Sequence, residues 1–348
     1  MTEDDILQYD ASSMRKLLID FPKQIEDAIR IGKKALLPAR RKIDNIVLTG
    51  LGGSAIGGDL LRSYLAEELS IPFFVNRHYF LPEFVDKSSL VIVSSYSGNT
   101  EETIAAHKDA ARRKALLLAI STDGETERLS KKYRHSAIKI PPGLPPRAAL
   151  GYSFFPLLVA LIRLKFVSSR EKDMKETVAL LSKKAKIYAT LDTKINRALA
   201  IAEKVYTRIP IVYSPADMLD AVNLRWRGQF CENAKVLAFG HVLPEMNHNE
   251  LVGWKVLKHS MSTMAVIFLR DKAMHPRVRV RMDITKSIAG EFAATVIDAE
   301  SEGASTLARM FSLIYLGDWV SYYLAILNGV DPTPVKVIDY LKSELAKV

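Results

Sequence analysis

Cysteine occurs once in the 348 residues, as Cys231, so the chain can form no internal disulfide and has no paired-cysteine metal motif. No uninterrupted apolar run reaches the roughly 18 residues that a membrane-spanning helix needs. The start, MTEDDILQYD, is acidic and polar, where a secretory leader would be basic and then apolar. The histidines (His78, His107, His135, His241, His248, His259 and His275) are scattered, and no two have the H-x-x-x-H spacing of a helical zinc site. A dense basic tract interleaved with aromatics is also missing. The net charge of +10 is spread through KKALLPARRK, RDKAMHPRVRVR and KSELAK. These absences predict a cytoplasmic, metal-free protein that binds neither nucleic acid nor membrane. The diffuse positive charge suits a small anionic ligand.

What is present is an ordinary globular composition, 48% apolar and 25% charged, with length enough for two domains. Short β-branched runs (NIVLTG at 45, IPFFVNR at 71, LVIVSS at 90, ALLLAIS at 115) alternate with helical patterns such as AIGGDLLRSYLAEEL and TEETIAAHKDAARRK. That alternation predicts βαβ units and a mainly parallel sheet buried on both faces. It resumes with IPIVYS at 209, AKVLAF at 234, TMAVIFL at 263 and ATVIDAE at 294. A charged helical stretch separates the two series. The expected organisation is therefore a first α/β domain over 1–165, a helical connection over 166–192, and a second α/β domain over 193–348 that ends in two helices.

Two strand exits carry the chemistry. The first strand runs into GLGGSAIGGD, in which Gly50, Gly52 and Ala55 satisfy the loose dinucleotide fingerprint. The acid that should follow at the end of the second strand is replaced by Asn76 and Arg77, which counts against a nucleotide. The third strand ends in SSYSGNTEET. Thr100 suits a helix cap, but a cap uses one hydroxyl and this turn has several. Serine and threonine hydroxyls beside a helix N-terminus, at two neighbouring strand tips, predict a phosphate cradle.

These two turns resemble the sugar isomerase domain, an α/β fold that binds phosphosugars without a nucleotide. PPRAALGYSF and ENAKVL…PEMNHNELVGW are similar to the bifunctional phosphoglucose/phosphomannose isomerases of archaea and some bacteria. The likeness runs from about residue 45 to the C-terminus. It implies two three-layer αβα domains, no cofactor, a hexose 6-phosphate substrate and a homodimer. It also implies that Gly53, Ser54, Ser95, Ser97 and Thr100 hold the phosphate.

An aldose–ketose isomerase needs a carboxylate to shuttle a proton, a cation to steady the enediolate, and a group to open the ring. Arg147 follows two prolines that stiffen its loop. The resemblance sets it over the reacting carbons; an exposed arginine at a helix start is the plainer alternative. Glu232, beside Phe230 and Cys231 just before an expected strand, would be partly desolvated, and ENAK matches the family motif at the base. His248 matches the family's ring-opening histidine, supplied in relatives by the other subunit; His241, Glu245 and Glu250 compete with it. The resemblance also implies a lysine near the C-terminus, matched best at Lys342, with Lys336 as the alternative. A sugar-phosphate sensor without turnover, the isomerase part of an aminosugar synthase and a nucleotide-linked reductase remain as alternatives.

Overall fold

The computed structural model describes residues 1–345 and 347 of the chain. Contacts divide the chain into two units, one joining Met1–Ile19 to Leu180–Val348 and the other spanning Asp20–Ala179. The sequence pattern puts residues 1–165 in one domain. Here helices α1 (Glu3–Tyr9) and α2 (Met14–Ile19) belong instead with the C-terminal half. Two buried tyrosines of that half hold them: Tyr322 donates to Asp10 at 3.2 Å and Tyr315 donates to the Leu18 carbonyl at 2.8 Å.

The Asp20–Ala179 unit starts with α3 (Phe21–Lys34) and then alternates β1 (Asn45–Thr49), α4 (Gly52–Leu65), β2 (Phe73–Asn76), β3 (Ser89–Ser94), α5 (Glu101–Arg112), β4 (Leu116–Ser121), α6 (Gly124–Tyr133) and β5 (Ser136–Lys139). All five strands are parallel, in the order β2-β1-β3-β4-β5. Every residue of β3 is buried, as expected of an apolar strand covered on both faces. Helix α7 (Leu150–Arg163) is buried along its first twelve residues, which its apolar composition on all sides anticipates. It crosses α3 closely enough that a Cβ on Gly32 would lie 2.9 Å from the Pro156 Cα. Helix α8 (Glu171–Tyr188) runs across the division of the two units.

The other unit continues with α9 (Arg197–Val205), β6 (Ile209–Pro215), α10 (Asp220–Glu232), β7 (Phe239–Leu243), α11 (Lys258–Met261), β8 (Met264–Arg270), α12 (Pro276–Gly290), β9 (Thr295–Glu300), α13 (Thr306–Leu327) and α14 (Lys336–Leu345). Its strands are also parallel, in the order β7-β6-β8-β9. The strand expected at AKVLAF forms five residues later, at Phe239–Leu243. Asn233 and Asn328 explain the delay: the first donates to Ser321 at 2.9 Å and the second to the Ala234 carbonyl at 3.0 Å, so the chain is spent on closing α10. Helix α13 is long and apolar enough to cross a membrane, yet almost all of it is buried in this unit. Its Asp318 accepts from Arg225 at 3.0 and 2.8 Å and from Gln229 at 2.8 Å, all inside the core. Removing one partner of such a pair costs about 3–5 kcal/mol.

A histidine pair gives the Asp20–Ala179 unit a pH dependence. His107 on α5 is fully buried, and its Nε2 lies 2.7 Å from the Nε2 of His135. Burial, aided by the neighbouring imidazole and opposed by Glu125, pulls His107 from 6.5 down to about 4. Burial lowers His135 as well. The unfolded chain then takes up a proton near pH 6.5 that the folded chain refuses. Stability is complete above that pH, falls as pH drops toward 4, and loses nothing further from His107 below it. At about 1.4 kcal/mol per pH unit, His107 accounts for about 3 kcal/mol across that window. Urea unfolding between pH 7.5 and 4 should show this slope, and a His107→Gln variant should flatten it. An unchanged slope in the variant would assign the loss to other groups.

Candidate functional site

In an open parallel sheet, ligands bind outside the carboxyl ends of the strands where the order reverses. In the Asp20–Ala179 sheet that point lies between β1 and β3, from which both hydroxyl turns leave. The two exits touch through backbone, since a Cβ on Gly50 would lie 2.7 Å from the Ser94 carbonyl oxygen. Ser94 donates its hydroxyl to the Ser54 carbonyl at 3.2 Å, and the Tyr96 N–H donates to Ser54 Oγ at 3.0 Å. Ser54 thus accepts from the protein, which leaves its own proton to donate outward.

The second turn repeats the device. Ser95 Oγ and Thr100 Oγ1 are 3.0 Å apart, so one proton of the pair satisfies the other oxygen and one remains. Ser97 Oγ accepts from the Asn99 N–H at 3.3 Å. Thr100 occupies the N-cap position of α5 but makes no side-chain capping bond, so capping does not account for its hydroxyl. Gly98 holds the turn: its φ is +72°, and a Cβ there would fall 1.7 Å from the Asp123 carbonyl oxygen.

Arg147, only 4% exposed, lies in the short turn Pro146–Ala148 before α7. A Cβ on Gly53 would sit 2.7 Å from the Pro146 carbonyl oxygen and 3.2 Å from the Arg147 nitrogen. The arginine turn therefore rests directly on the first turn of α4. Gln24 on α3 supports it from behind, donating to the Ala148 carbonyl at 2.9 Å and accepting from the Gly151 N–H at 2.8 Å. Gly53, Ser54, Ser95, Ser97, Thr100 and Arg147 are thus brought to one end of one sheet. The position of the nucleotide-binding acid is filled by Asn76, which donates to Thr49 Oγ1 at 3.3 Å and the His78 carbonyl at 3.1 Å.

Glu232, His248 and the two lysines belong to the other unit. Glu232 is the last residue of α10, half-buried, with Phe230 buried and Cys231 exposed before it. It lines a cleft of about 680 Å³ together with Cys231, Lys235, Asp331 and Lys336. Lys342 is exposed farther along α14. Lys235, left-handed at φ 59°, anchors the end of α10 by donating to the Glu232 carbonyl at 2.5 Å and the Pro332 carbonyl at 3.2 Å.

His248 is exposed at the end of a short turn, Glu245–His248, whose flanks are pinned. Asn247 donates to Thr285 at 2.9 Å and Asn249 to Glu245 at 2.8 Å. Glu250 accepts from Tyr213 at 2.5 Å, and the Tyr213 oxygen accepts from the Trp254 indole at 3.2 Å. Burial, with the Glu250 carboxylate, pushes the Tyr213 phenol up. His241 differs: its Nδ1 accepts from the Val242 N–H at 2.7 Å, tied to its own strand. Among the described residues, no three His, Cys, Asp or Glu side chains converge as a metal site.

Sequence reasoning did not single out Gln24, Tyr96 or Tyr213, because their partners are remote in the chain. The glycine before Ser54 was the one visible signal of the close arginine turn.

Residues 194–345 match the family described as the bacterial phospho-glucose isomerase C-terminal SIS domain, and residues 41–145 match the SIS domain. A relative from Caldicellulosiruptor bescii, named bifunctional phosphoglucose/phosphomannose isomerase, is 44% identical over 96% of this chain and 99% of its own. One of the same name from Aquifex aeolicus is 36% identical over 87% of this chain and 90% of its own. Among solved structures, a glucose-6-phosphate isomerase like protein from Thermus thermophilus superposes with a TM-score of 0.66 at 19% identity, covering 98% of each chain. A hypothetical protein from the same organism reaches 0.76 at 15% identity, covering 99% of this chain and 92% of its own. At those identities the structures speak for the fold alone.

The close seat of the arginine turn gives a direct test. Gly53→Ala must push the Pro146 backbone away, at a cost of about 1–3 kcal/mol. Its melting temperature should fall and its affinity for inorganic phosphate should weaken several-fold, whereas Gly228→Ala, with open space around it on α10, should leave phosphate binding unchanged. Wild-type phosphate affinity in Gly53→Ala would show that the two turns move independently.

Proposed function

The chain belongs to the bifunctional phosphoglucose/phosphomannose isomerase family, and we propose that, like those relatives, it interconverts glucose 6-phosphate and mannose 6-phosphate with fructose 6-phosphate. The observation that carries this reading is the set of hydroxyls at the β1 and β3 exits: Ser54 and Ser97 accept from backbone N–H groups and Ser95 pairs with Thr100, which leaves hydroxyl protons to donate to a phosphate. They hold the phosphate together with the N-terminal amides of α4 and α5. Glu232 then moves one proton between C1 and C2, and Arg147 steadies the negative oxygen of the enediolate. His248 opens the ring. Of the two lysines, Lys336 is the better placed assistant, since it lines the cleft that contains Glu232. The proton passes without a metal.

The connectivity of the second unit supports a dimer. Helix α10 starts beside the carboxyl end of β6 and runs back for 13 residues, about 20 Å, so Glu232 lies toward the amino ends of the strands. His248 follows the carboxyl end of β7, at the opposite end of the strands. A ring-opening histidine so far from the base of its own chain suits one contributed to a second copy.

Purified protein assayed in both directions with each hexose phosphate should turn over, and should keep its rate in EDTA. Loss of activity on chelation would replace the metal-free step. Glu232→Gln should lower kcat by about a hundred- to ten-thousand-fold while still binding substrate. Wild-type turnover in that variant would dismiss Glu232 as the base, and binding without turnover in the wild type would favour a sensor.

The dimer has its own test. Glu232→Gln and His248→Ala proteins, each inactive, should regain about a quarter of wild-type activity when unfolded and refolded together, because half of the dimers would be mixed and each would keep one intact site. No recovery in demonstrably mixed dimers would place the histidine within its own chain's site.

A further inference from the structure

Tyr96 lies in the middle of the phosphate turn, yet it offers that turn no hydroxyl. Its three polar groups reach three other segments. The backbone N–H donates to Ser54 Oγ at 3.0 Å, on the neighbouring strand exit. The carbonyl accepts from the N–H of Thr122 at 3.0 Å and from its hydroxyl at 2.8 Å, just past β4. The phenol donates to the Pro141 carbonyl at 2.9 Å and accepts from the Leu144 N–H at 3.0 Å. Both hydrogen-bonding capacities of the phenol are thus spent on the loop that leads into Arg147.

That loop transmits position well. Only Pro145 and Pro146 separate Leu144 from Arg147, and they remove most of the backbone freedom between them. At its far end the turn rests on Gly53, with Gln24 behind it. The phenol is half-buried, and burial raises its pKa against the opposing effect of the Leu144 N–H, so it stays neutral and can keep both bonds.

We propose that Tyr96 is a positioning residue that couples the phosphate turn to Arg147, so that a phosphate settled on the hydroxyls fixes where the guanidinium stands. The inference rests on the reading of Arg147 as the cation that steadies the enediolate. Tyr96 takes no part in the chemistry, because its oxygen is committed to main chain. Its contribution is orientation, whose loss costs rate rather than binding, since the phosphate's own partners are untouched.

The test is Tyr96→Phe in the full-length protein, which keeps the ring and deletes both phenol bonds. Four quantities are read: kcat with fructose 6-phosphate, KM, inhibition by inorganic phosphate, and melting temperature with and without phosphate. The expected result is a kcat lower by about tenfold or more, with the phosphate inhibition constant within about twofold of wild type. Arg147→Ala and the double variant complete the cycle, and the double variant should be scarcely slower than Arg147→Ala alone.

If Arg147→Ala keeps wild-type kcat, the catalytic reading of Arg147 fails on its own account. If Arg147→Ala is slow but Tyr96→Phe is not, the positioning role is overturned while the reading of Arg147 survives. If kcat, phosphate inhibition and melting temperature all deteriorate together, or if the two losses simply multiply, Tyr96 is a structural residue and the coupling is overturned. Should Tyr96→Phe fold poorly, Thr122→Val, which removes only the hydroxyl bond to the Tyr96 carbonyl, should reproduce a smaller loss of the same kind: kcat down, phosphate inhibition unchanged. Wild-type kcat in Thr122→Val would overturn the proposal.

Discussion

Everything at the hydroxyl-lined end of the Asp20–Ala179 sheet depends on how closely two parallel strands leave it. β1 and β3 are hydrogen-bonded neighbours, and their connections depart in opposite senses, so the two exits diverge around a crevice. They start nearly in contact: the missing Cβ of Gly50 is what admits the Ser94 carbonyl. Within that spacing one serine can bridge to the other exit through its carbonyl and its hydroxyl at once, as Ser54 does. Any larger side chain at position 50 would part the strands and leave the hydroxyls facing water separately.

The cradle is made of neutral donors. Ser54, Ser95, Ser97 and Thr100 carry no charge, and the first turn of α5 even holds Glu101 and Glu102. On the proposed reading, such a site would grip a dianion through short, directed bonds rather than through a strong local field, with the long-range attraction left to the dispersed +10 charge of the whole chain. That separation suits an enzyme whose substrate and product carry the same phosphate. Holding it more tightly would stabilise both ground states alike and would slow release without lowering the barrier. The buried Arg147 is the exception, and it stands on its own turn rather than among the hydroxyls.

Much of this was legible in the sequence because it is local. A short apolar run reports a buried strand, as at β1, β3, β4, β6, β8 and β9, and in β1, β3, β4 and β6 a glycine or serine at its end also marks the exit. What was not legible depends on distance along the chain. β5 is four residues, Ser136–Lys139, with polar residues at both ends, and becomes a strand only by pairing with β4. The α1 and α2 helices look like the start of the first domain until Tyr315 and Tyr322, some 300 residues later, claim them. Tyr96 reads as an aromatic in a polar turn; its partners Pro141 and Leu144 lie more than forty residues on. Glu232 reads as preceding a strand because ENAKVLAF is apolar after its lysine, whereas the asparagine amides divert that stretch into closing a helix.

The second sheet sharpens the point, for it repeats the strand order around β6 and β8 but not the crevice. Asn223 fills the β6 side, donating to the Val212 and His241 carbonyls and to Ser214 Oγ at 2.9, 3.1 and 3.2 Å. On the β8 side, Asp271 accepts from Arg309 at 2.8 Å and Ser301 at 2.6 Å. An anion has no place there, because a carboxylate of the chain already holds it. The same fold that lines its strand exits with hydroxyls in one unit is closed there by its own ion-paired and amide side chains in the other. That closure leaves the helix ends and turns of the second unit, such as those at Glu232 and His248, as the places where a polar group reaches solvent without opening the core. Two copies of one architecture thus differ by a local choice: whether the strand tips are closed by charged and amide side chains or lined by small hydroxyls.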